Sequence, residues 1–266
     1  MNTLLETPSL TVIKDQAVAE VTLTRPDVLN CFDDQLHGDF LEMLAAVAAD
    51  SAVRSVLLHS TGRAFSAGGS AEWMQEANSD RSKARELVAT GYRVMTALLD
   101  LRVPLVTAVQ GPAMGLGANI ALISDVVVAG TKARFADSHV LMGLVAGDGG
   151  AIIWPQAGGI TRAKRHLLTG DPLSAADAYA AGMVTDLVED PDQLVPTARA
   201  LARRIAALPP LAVQGTKRAL NRILQQRAGE VFELSLSLEL DTITSEDLLE
   251  ATTAFLEKRP GNYHGK

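Results

Sequence analysis

The sequence is poor in cysteine, in aromatic residues and in positive charge. Of its 266 residues only Cys31 is a cysteine, and aromatic residues make up 4%. A single cysteine can form neither an internal disulfide nor a cysteine-rich zinc site, so the fold does not depend on oxidation. Lysine and arginine total 24 against 31 aspartates and glutamates, a net charge of −7. This acidic balance argues against a nucleic-acid partner, which would favour a surplus of basic residues.

Long apolar runs are also lacking. The stretches Val103–Val109 and Val126–Ala129 are far shorter than the roughly 20 residues of a membrane span. The N-terminal segment carries acidic and polar residues where a secretory signal has basic residues followed by an apolar block. We therefore expect a cytoplasmic protein without membrane contact. The 5 histidines are scattered, with no HExxH pair, so no metal site is expected.

Hydrophobic periodicity predicts strands that alternate with helices. Ala19–Thr24 alternates apolar and polar residues, which is typical of a half-buried strand. After Asp33 the apolar residues recur every three or four positions, which predicts one buried helix stripe. The members of that stripe are Leu36, Phe40, Leu44 and Val47. Further predicted elements are the strands Val53–His59, Pro104–Gln110 and Asp125–Ala129 and the helices Arg81–Arg102 and Ala118–Ile123. This order predicts an α/β fold with a mainly parallel sheet, followed by helices from Asp192 onward.

Two glycine-rich loops follow predicted strands. Thr61–Ser70 contains three glycines, and Gly111–Gly117 contains three more. Glycine permits positive φ and lets the backbone approach a ligand closely. Ligand sites in folds of this class gather where strands end in loops. The two loops are therefore the first candidates for a binding site.

Five blocks of sequence carry a resemblance to a known family. They are Leu23–Pro26 with Leu29 and Asn30, the loop Arg63–Gly69, the segment Gly111–Ala121, the segment from Leu168 to Val184, and the tail Phe255–Pro260. In this order they resemble the crotonase (enoyl-CoA hydratase/isomerase) superfamily over nearly the whole chain. The resemblance implies an α/β crotonase-like spiral of ββα units over residues 1–195. It also implies a C-terminal helical trimerisation region over residues 196–266.

The resemblance also implies a substrate and an assembly. The substrate is an acyl-CoA thioester, with no further cofactor, and the protein is a homotrimer or a dimer of trimers. The thioester oxygen accepts hydrogen bonds from two main-chain amides, those of Ala67 and Leu116. Such fixed donors stabilise the negative charge of an enolate without reorganising. The other implied substrate-binding residues are Ala64, Ser66, Gly68, Gly69 and Gly115.

The sequence departs from the family pattern at its acid–base positions. A hydratase needs two carboxylates, but Asn119 and His139 stand at the two matching positions. Histidine is well suited to proton transfer near neutral pH, and a nearby carboxylate can fix its tautomer. Asp148, nine residues after His139, is the expected partner. We thus predict His139, Asp148 and Asn119 as the catalytic residues, and interpret His37, His59 and His166 as structural.

Three functions remain open from the sequence. The first is an acyl-CoA enzyme of the hydratase/isomerase type with an altered acid–base set. The second is a C–C bond hydrolase of a β-dicarbonyl, because His139–Pro155 is similar to the same segment of the retro-Claisen hydrolases of this superfamily. The third is a non-catalytic acyl-CoA binder. A dinucleotide-binding turn at Gly115–Ala121 is disfavoured because Pro112 precedes it and no acidic residue ends the next strand.

Overall fold

The computed structural model describes residues 1–266. The ten strands are β1 (Asn2–Glu6), β2 (Leu10–Asp15), β3 (Val18–Leu23), β4 (Ser55–Ser60), β5 (Leu105–Val109), β6 (Pro112–Met114), β7 (Val126–Gly130), β8 (Arg134–Ala136), β9 (Leu173–Ser174) and β10 (Asp186–Val188). The ten α-helices are α1 (Asp34–Ala49), α2 (Ala71–Ser79), α3 (Arg81–Asp100), α4 (Leu116–Leu122), α5 (Gly150–Gly158), α6 (Ile160–Leu167), α7 (Ala175–Ala180), α8 (Leu194–Ala206), α9 (Pro210–Ile243) and α10 (Glu246–Glu257).

A seven-stranded sheet forms the centre of the molecule, in the order β1-β2-β3-β4-β5-β7-β10. The pairs β1–β2 and β2–β3 are antiparallel, and every pair from β3 to β10 is parallel. A small second sheet joins β6, β8 and β9. All five residues of β5 are buried, as expected for a parallel strand covered on both faces. The predicted α/β class with a mainly parallel sheet is confirmed.

Helix α1 begins where the sequence signals it. The Asp33 side chain accepts a hydrogen bond from the Leu36 amide, a regular N-cap. Asp33 is held in turn by a two-point ion pair with Arg25, with N–O distances of 2.7 Å. All four apolar positions predicted for this helix are buried in the main core. This fixed start also sets the position of His37 on the first turn of α1.

The C-terminal helices do two different jobs. Helix α8 covers the sheet, with Leu194, Ala198 and Ala202 packed in one cluster with residues of β3, β4, β5 and β7. The predicted boundary between residues 195 and 196 therefore lies inside a helix that belongs to the sheet layer. Helix α9 packs on α3, and α10 packs on α2 and on the 3-10 turn His139–Met142. No helix combines the length and the apolar character that crossing a membrane would require.

Candidate active site

The two glycine-rich loops lie in direct contact. The Met114 amide donates to the Ser66 carbonyl at 2.9 Å, which continues β6 onto the first loop. Gly68 has a φ of +76°, and a Cβ there would lie 2.7 Å from the Met114 carbonyl oxygen. Only glycine fits both the left-handed conformation and this close approach. The contact fixes the first loop against the start of α4.

The amide predicted to be free in the first loop is not free. The Ala67 N–H donates to the Leu29 carbonyl at 3.0 Å, so the prediction of Ala67 as an oxyanion donor is wrong. The chain takes a left-handed turn at Gly68, and the Gly69 amide that follows is unpaired. Neither the Gly69 nor the Leu116 N–H has an acceptor within the protein, and both residues line the same pocket. The assignment of Leu116 as an oxyanion donor stays a prediction.

The remaining predicted substrate-binding residues mostly build the loops. Ser66 is fully buried, and its Oγ donates to the Asn30 carbonyl at 2.8 Å. The Ala64 carbonyl accepts from the side chains of Asn30 and Gln110. Both residues are buried, and their assignment as substrate-binding residues stays a prediction. Gly68 and Gly115 have positive φ and shape the turns.

The pocket beneath these loops is narrow. Its free volume is about 30 Å³, enough for one or two water molecules. The walls combine apolar side chains from α2 and α3 with a cluster of titratable groups. The lining residues are Phe32, His37, Gly69, Trp73, Met74, Leu87, Gly91, Leu116, His139, Leu144, Asp148 and Glu239.

His139 donates its direct hydrogen bond to a residue that was not predicted from the sequence, Asp137. Its Nδ1 lies 2.6 Å from Asp137 Oδ1, and the Asp137 side chain also accepts from the His139 amide at 3.3 Å. Both residues are buried. The available signal was the spacing Asp-x-His directly after β8. Asp137 therefore sets the orientation of the imidazole.

Asp148 lies on the other side of the imidazole. His139 Nε2 and Asp148 Oδ2 are 3.3 Å apart, just beyond the about 3.2 Å of a direct hydrogen bond. Asp148 Oδ1 accepts from Asn119 Nδ2 at 2.9 Å, and Asn119 Oδ1 accepts from Trp154 Nε1 at 3.1 Å. Asn119 is fully buried and committed to these two bonds. It holds Asp148 in place and does not line the pocket.

Glu239, on helix α9, is the last member of the cluster, and no local sequence pattern marks it as a site residue. Its Oε1 lies 4.0 Å from His139 Nε2, and its Oε2 has no hydrogen-bond partner. Gly147 makes room for it, because a Cβ at Gly147 would collide with the Glu239 side chain. Only the packing of α9 over the pocket brings this carboxyl to His139.

The charges of this cluster follow from burial and mutual contact. Burial alone would lower the pKa of His139, but the negative charges of Asp148 and Asp137 raise it well above its ordinary value. Burial opposes ionisation of Asp148, yet the cationic His139 lowers the pKa of that carboxyl. Burial and the repulsion of Asp148 raise the pKa of Glu239. These directions favour the cationic form of His139, the ionised form of Asp148 and the protonated form of Glu239.

A second imidazole faces the same pocket. His37 Nδ1 lies 2.9 Å from the Asp33 carbonyl oxygen, so Nδ1 carries the proton and Nε2 does not. The ring packs against Phe32 and Trp73, with centroid distances of 5.2 Å and 5.1 Å. Burial lowers the pKa of His37 and outweighs the opposing hydrogen bond to Asp33. The interpretation of His37 as purely structural overlooked this wall of the pocket.

The side chains of His139, Asp148 and Glu239 could also approach a cation, since one polar atom of each lies within 4.8 Å of the others. The raised pKa values of His139 and Glu239 favour a proton on each side chain, and these protons reduce the negative charge of the cluster. The expectation of no metal stays a prediction. The site offers two unpaired amides, an imidazolium and a neutral imidazole around one small cavity. Such a set can stabilise an oxyanion and move protons at an adjacent atom.

Comparison with known proteins agrees with this arrangement. The family model described as enoyl-CoA hydratase/isomerase matches residues 14–266. The chain is 33% identical over 257 residues to 1,2-epoxyphenylacetyl-CoA isomerase of Escherichia coli, covering 95% of this chain and 97% of the relative. The structure of an enoyl-CoA hydratase/isomerase from Mycobacterium paratuberculosis superposes with a TM-score of 0.89 at 35% identity, covering 94% of this chain and 99% of the other.

Another solved structure that is similar to this chain belongs to a protein with a different activity. It is a β-diketone hydrolase from the cyanobacterium Anabaena bound to (S)-3-oxocyclohexyl acetic acid, with a TM-score of 0.83 and 28% identity. The match covers 90% of this chain and 95% of that chain. Crotonase-fold proteins therefore include relatives of more than one activity. The family model, the relatives and the fold together establish that this chain belongs to the enoyl-CoA hydratase/isomerase family, the crotonase superfamily.

Proposed function

We propose that the protein is an acyl-CoA enzyme that shifts a proton next to the thioester carbonyl, an isomerisation through an enolate. The observation that carries this proposal is that Gly69 and Leu116, whose amides have no acceptor within the protein, line the pocket that His139 also lines. The thioester oxygen accepts both N–H groups, and the enolate charge that develops there is stabilised. One such donor contributes about 10²–10³ in rate.

His139 supplies the proton of the second half of the reaction. Both ring nitrogens face carboxylates, Nδ1 at 2.6 Å from Asp137 and Nε2 at 3.3 Å from Asp148. The resulting imidazolium is an acid beside a site that forms a carbanion equivalent. Its Nε2 proton returns to carbon when the enolate collapses.

Hydration by a pair of carboxylates does not fit this site. Asn119 stands at one of the two matching positions, and its amide bonds to Asp148 and Trp154. An amide cannot exchange a proton near neutral pH, and this one does not reach the pocket.

The test is enolate formation itself. In D₂O the wild-type protein should place deuterium at the α-carbon of butyryl-CoA, which mass spectrometry measures. It should also convert 3-hexenoyl-CoA to its 2-enoyl isomer. The variant His139→Gln should lose most of the isomerisation activity. Absence of α-deuteration by the wild type would overturn the proposal.

A second candidate is hydrolysis of a C–C bond in a β-dicarbonyl. The nine-residue separation of His139 and Asp148 and the similarity to a β-diketone hydrolase favour it. Water would attack one carbonyl, the C–C bond would break toward the other, and the resulting enolate would rest on the Gly69 and Leu116 amides. The discriminating measurement is incubation with a cyclic 1,3-diketone that lacks CoA, with the ring-opened keto acid as the product.

We also propose a homotrimer, or a pair of trimers, assembled through the C-terminal helices. Supporting this, α9 and α10 leave several large apolar side chains exposed, including Leu211 (86%), Leu220 (61%) and Phe255 (63%). Exposed apolar patches of this kind are typical of protein interfaces. Sedimentation velocity measures the assembly, and a monomer at micromolar concentration would contradict it.

A further inference from the structure

One polar atom in the pocket has no role in the chemistry described so far. His37 Nε2 belongs to a ring whose Nδ1 donates to the Asp33 carbonyl, and no group of the protein bonds to Nε2. The side chain is 4% exposed and lines the pocket with Gly69, Leu116 and His139. The fully enclosed polar side-chain atoms without a partner are Asp137 Oδ2 and Glu239 Oε2, and His37 Nε2 is not one of them. This unpaired nitrogen is therefore open to a hydrogen of a molecule bound in the pocket that His37 lines.

The ring is held so that this atom cannot turn away. Phe32 meets it edge-on with an interplanar angle of 70°, and Trp73 covers its face at 33°. Trp73 is itself anchored through Nε1 to Asp34 Oδ1 at 3.0 Å. The Asp33 carbonyl fixes the tautomer, since the proton sits on Nδ1 and the lone pair on Nε2. This is the geometry of a preorganised proton acceptor.

The two imidazoles of the pocket are in opposite states. Burial lowers the pKa of His37, whereas Asp148 and Asp137 raise the pKa of His139. The charged groups near His37 are Asp33 and Asp34 on its own helix and Asp148 across the pocket, and all three oppose the effect of burial. When the surroundings shift the pKa values of two titratable groups in one cavity in opposite directions, one group is suited to act as the base and the other as the acid.

We propose that His37 is the catalytic base of this site, its Nε2 removing the α-proton of the bound acyl group while His139 is the acid. The inference rests on the proposed enolate chemistry and names the group that starts it. His37 thus takes the place that the family pattern gives to a carboxylate and that Asn119 cannot fill. It comes from α1, an element that the sequence analysis did not connect with the site.

The step balances without a further reactant. The α-C–H bond breaks, the proton goes to His37 Nε2, and the electron pair moves through the carbonyl carbon to the thioester oxygen. The enolate pair then returns through the conjugated double bond, and His139 Nε2–H gives its proton to the γ-carbon. The substrate keeps its composition. His37 ends as a cation and His139 as a neutral imidazole, and one proton passes from His37 to His139, restoring both.

The test compares α-deuteration of butyryl-CoA by the wild type, His37→Gln and His37→Asn, with His264→Gln in the exposed tail as the matched control. Gln keeps an amide near the Nε2 position and Asn keeps a donor near Nδ1, but neither is a base. Both variants should lose about 10²–10⁴ in exchange rate with KM little changed. The acid limb of the wild-type rate profile should disappear in both, and His264→Gln should match the wild type.

A second readout does not depend on the variants folding. In ¹⁵N-histidine spectra of the wild type, His37 should stay neutral with its proton on Nδ1 at pH 7, while His139 is cationic. A cationic His37 at that pH, or a proton on Nε2, would overturn the inference. So would wild-type exchange rates and pH profile in both His37 variants, which would leave the proposed enolate chemistry standing. No exchange by the wild type would overturn both proposals.

Discussion

Asn119 Nδ2 donates to Asp148 Oδ1 at 2.9 Å, so the residue at a position of expected acid chemistry acts as a clamp on another acid. The amide satisfies one carboxylate oxygen and leaves the other to face His139 at 3.3 Å. Trp154 Nε1 donates to the other end of the amide, Asn119 Oδ1, and so fixes its orientation. Asn119 thus holds the carboxylate that lies beside His139.

Removal of this clamp should separate positioning from binding. In Asn119→Leu, Asp148 Oδ1 and Trp154 Nε1 lose their partners, and hydrogen bonds to charged groups contribute about 1.5–3 kcal/mol. We expect kcat for α-proton exchange to fall about 10–100-fold with little change in KM, and the urea midpoint to decrease. The control is Asn78→Leu, remote from the pocket. Unchanged kcat in Asn119→Leu would contradict the clamp.

The charge on Asp137 should set the alkaline limb of the rate profile. The pKa of His139 is raised by Asp148 and Asp137, and an acid is active only below its pKa. Asp137→Asn removes one of the two negative neighbours, so the activity should be lost at a pH lower by about 1–3 pH units than in the wild type. The measurement is kcat for 3-hexenoyl-CoA isomerisation between pH 6 and 10. An unmoved limb would exclude His139 as the acid.

Glu239 should make the protein less stable as the pH rises. Its pKa is raised by burial and by Asp148, so the folded state keeps a proton that the unfolded chain has already lost. Between the ordinary glutamate pKa and the raised value, stability therefore decreases with pH, by up to about 1.4 kcal/mol per pH unit. Glu239→Gln should flatten that decrease in urea unfolding from pH 5 to 9. Parallel curves for the two proteins would contradict it.

The protein should hydrate crotonyl-CoA poorly. Asn119 is held between Asp148 and Trp154 and cannot supply one of the two carboxylates that syn addition needs. We expect a turnover far below the upper enzyme range of ~10³ s⁻¹. The measurement is the loss of the enoyl absorbance. A relative of the hydratase type serves as the positive control. Turnover in that upper range would show that water addition has another route here.

Chelators should leave the proton exchange unchanged. The raised pKa values of His139 and Glu239 favour the protonated forms of both, which leaves little negative charge to hold a cation. Protein dialysed against EDTA should therefore deuterate butyryl-CoA at the rate of untreated protein, with no metal found by elemental analysis. Loss of activity that zinc or manganese restores would reverse the prediction.

Several elements followed from local sequence alone. The apolar spacing after Asp33 predicted α1, and continuous β-branched runs predicted the parallel strands, because these patterns depend only on which face of an element is buried. The glycine loops were also found, and the Leu116 donor stays a prediction. In the first loop the donor was placed on Ala67, but that amide donates to the Leu29 carbonyl. Which amide points outward depends on the left-handed turn at Gly68 and on the Leu29 carbonyl, and a residue pattern shows neither.

The site cluster shows the same division. His139 and Asp148 lie in one segment, and their spacing already suggested a pair. Asp137 was within reach of the same reasoning, two residues before the histidine. Glu239 and His37 were not, because each comes from an element far along the chain, α9 and α1, that only the assembled fold brings to the pocket.

The sequence by itself determined the α/β class and the family, since residue identity and order are enough for these. The tertiary structure decided which groups carry charge and which amides are free. Protonation follows from burial and from neighbours distant in sequence, as with Glu239 beside His139. The role of His37 likewise depends on a ring held by Asp33, Phe32 and Trp73 and turned toward a cavity that exists only once α1, α2 and α9 have packed together.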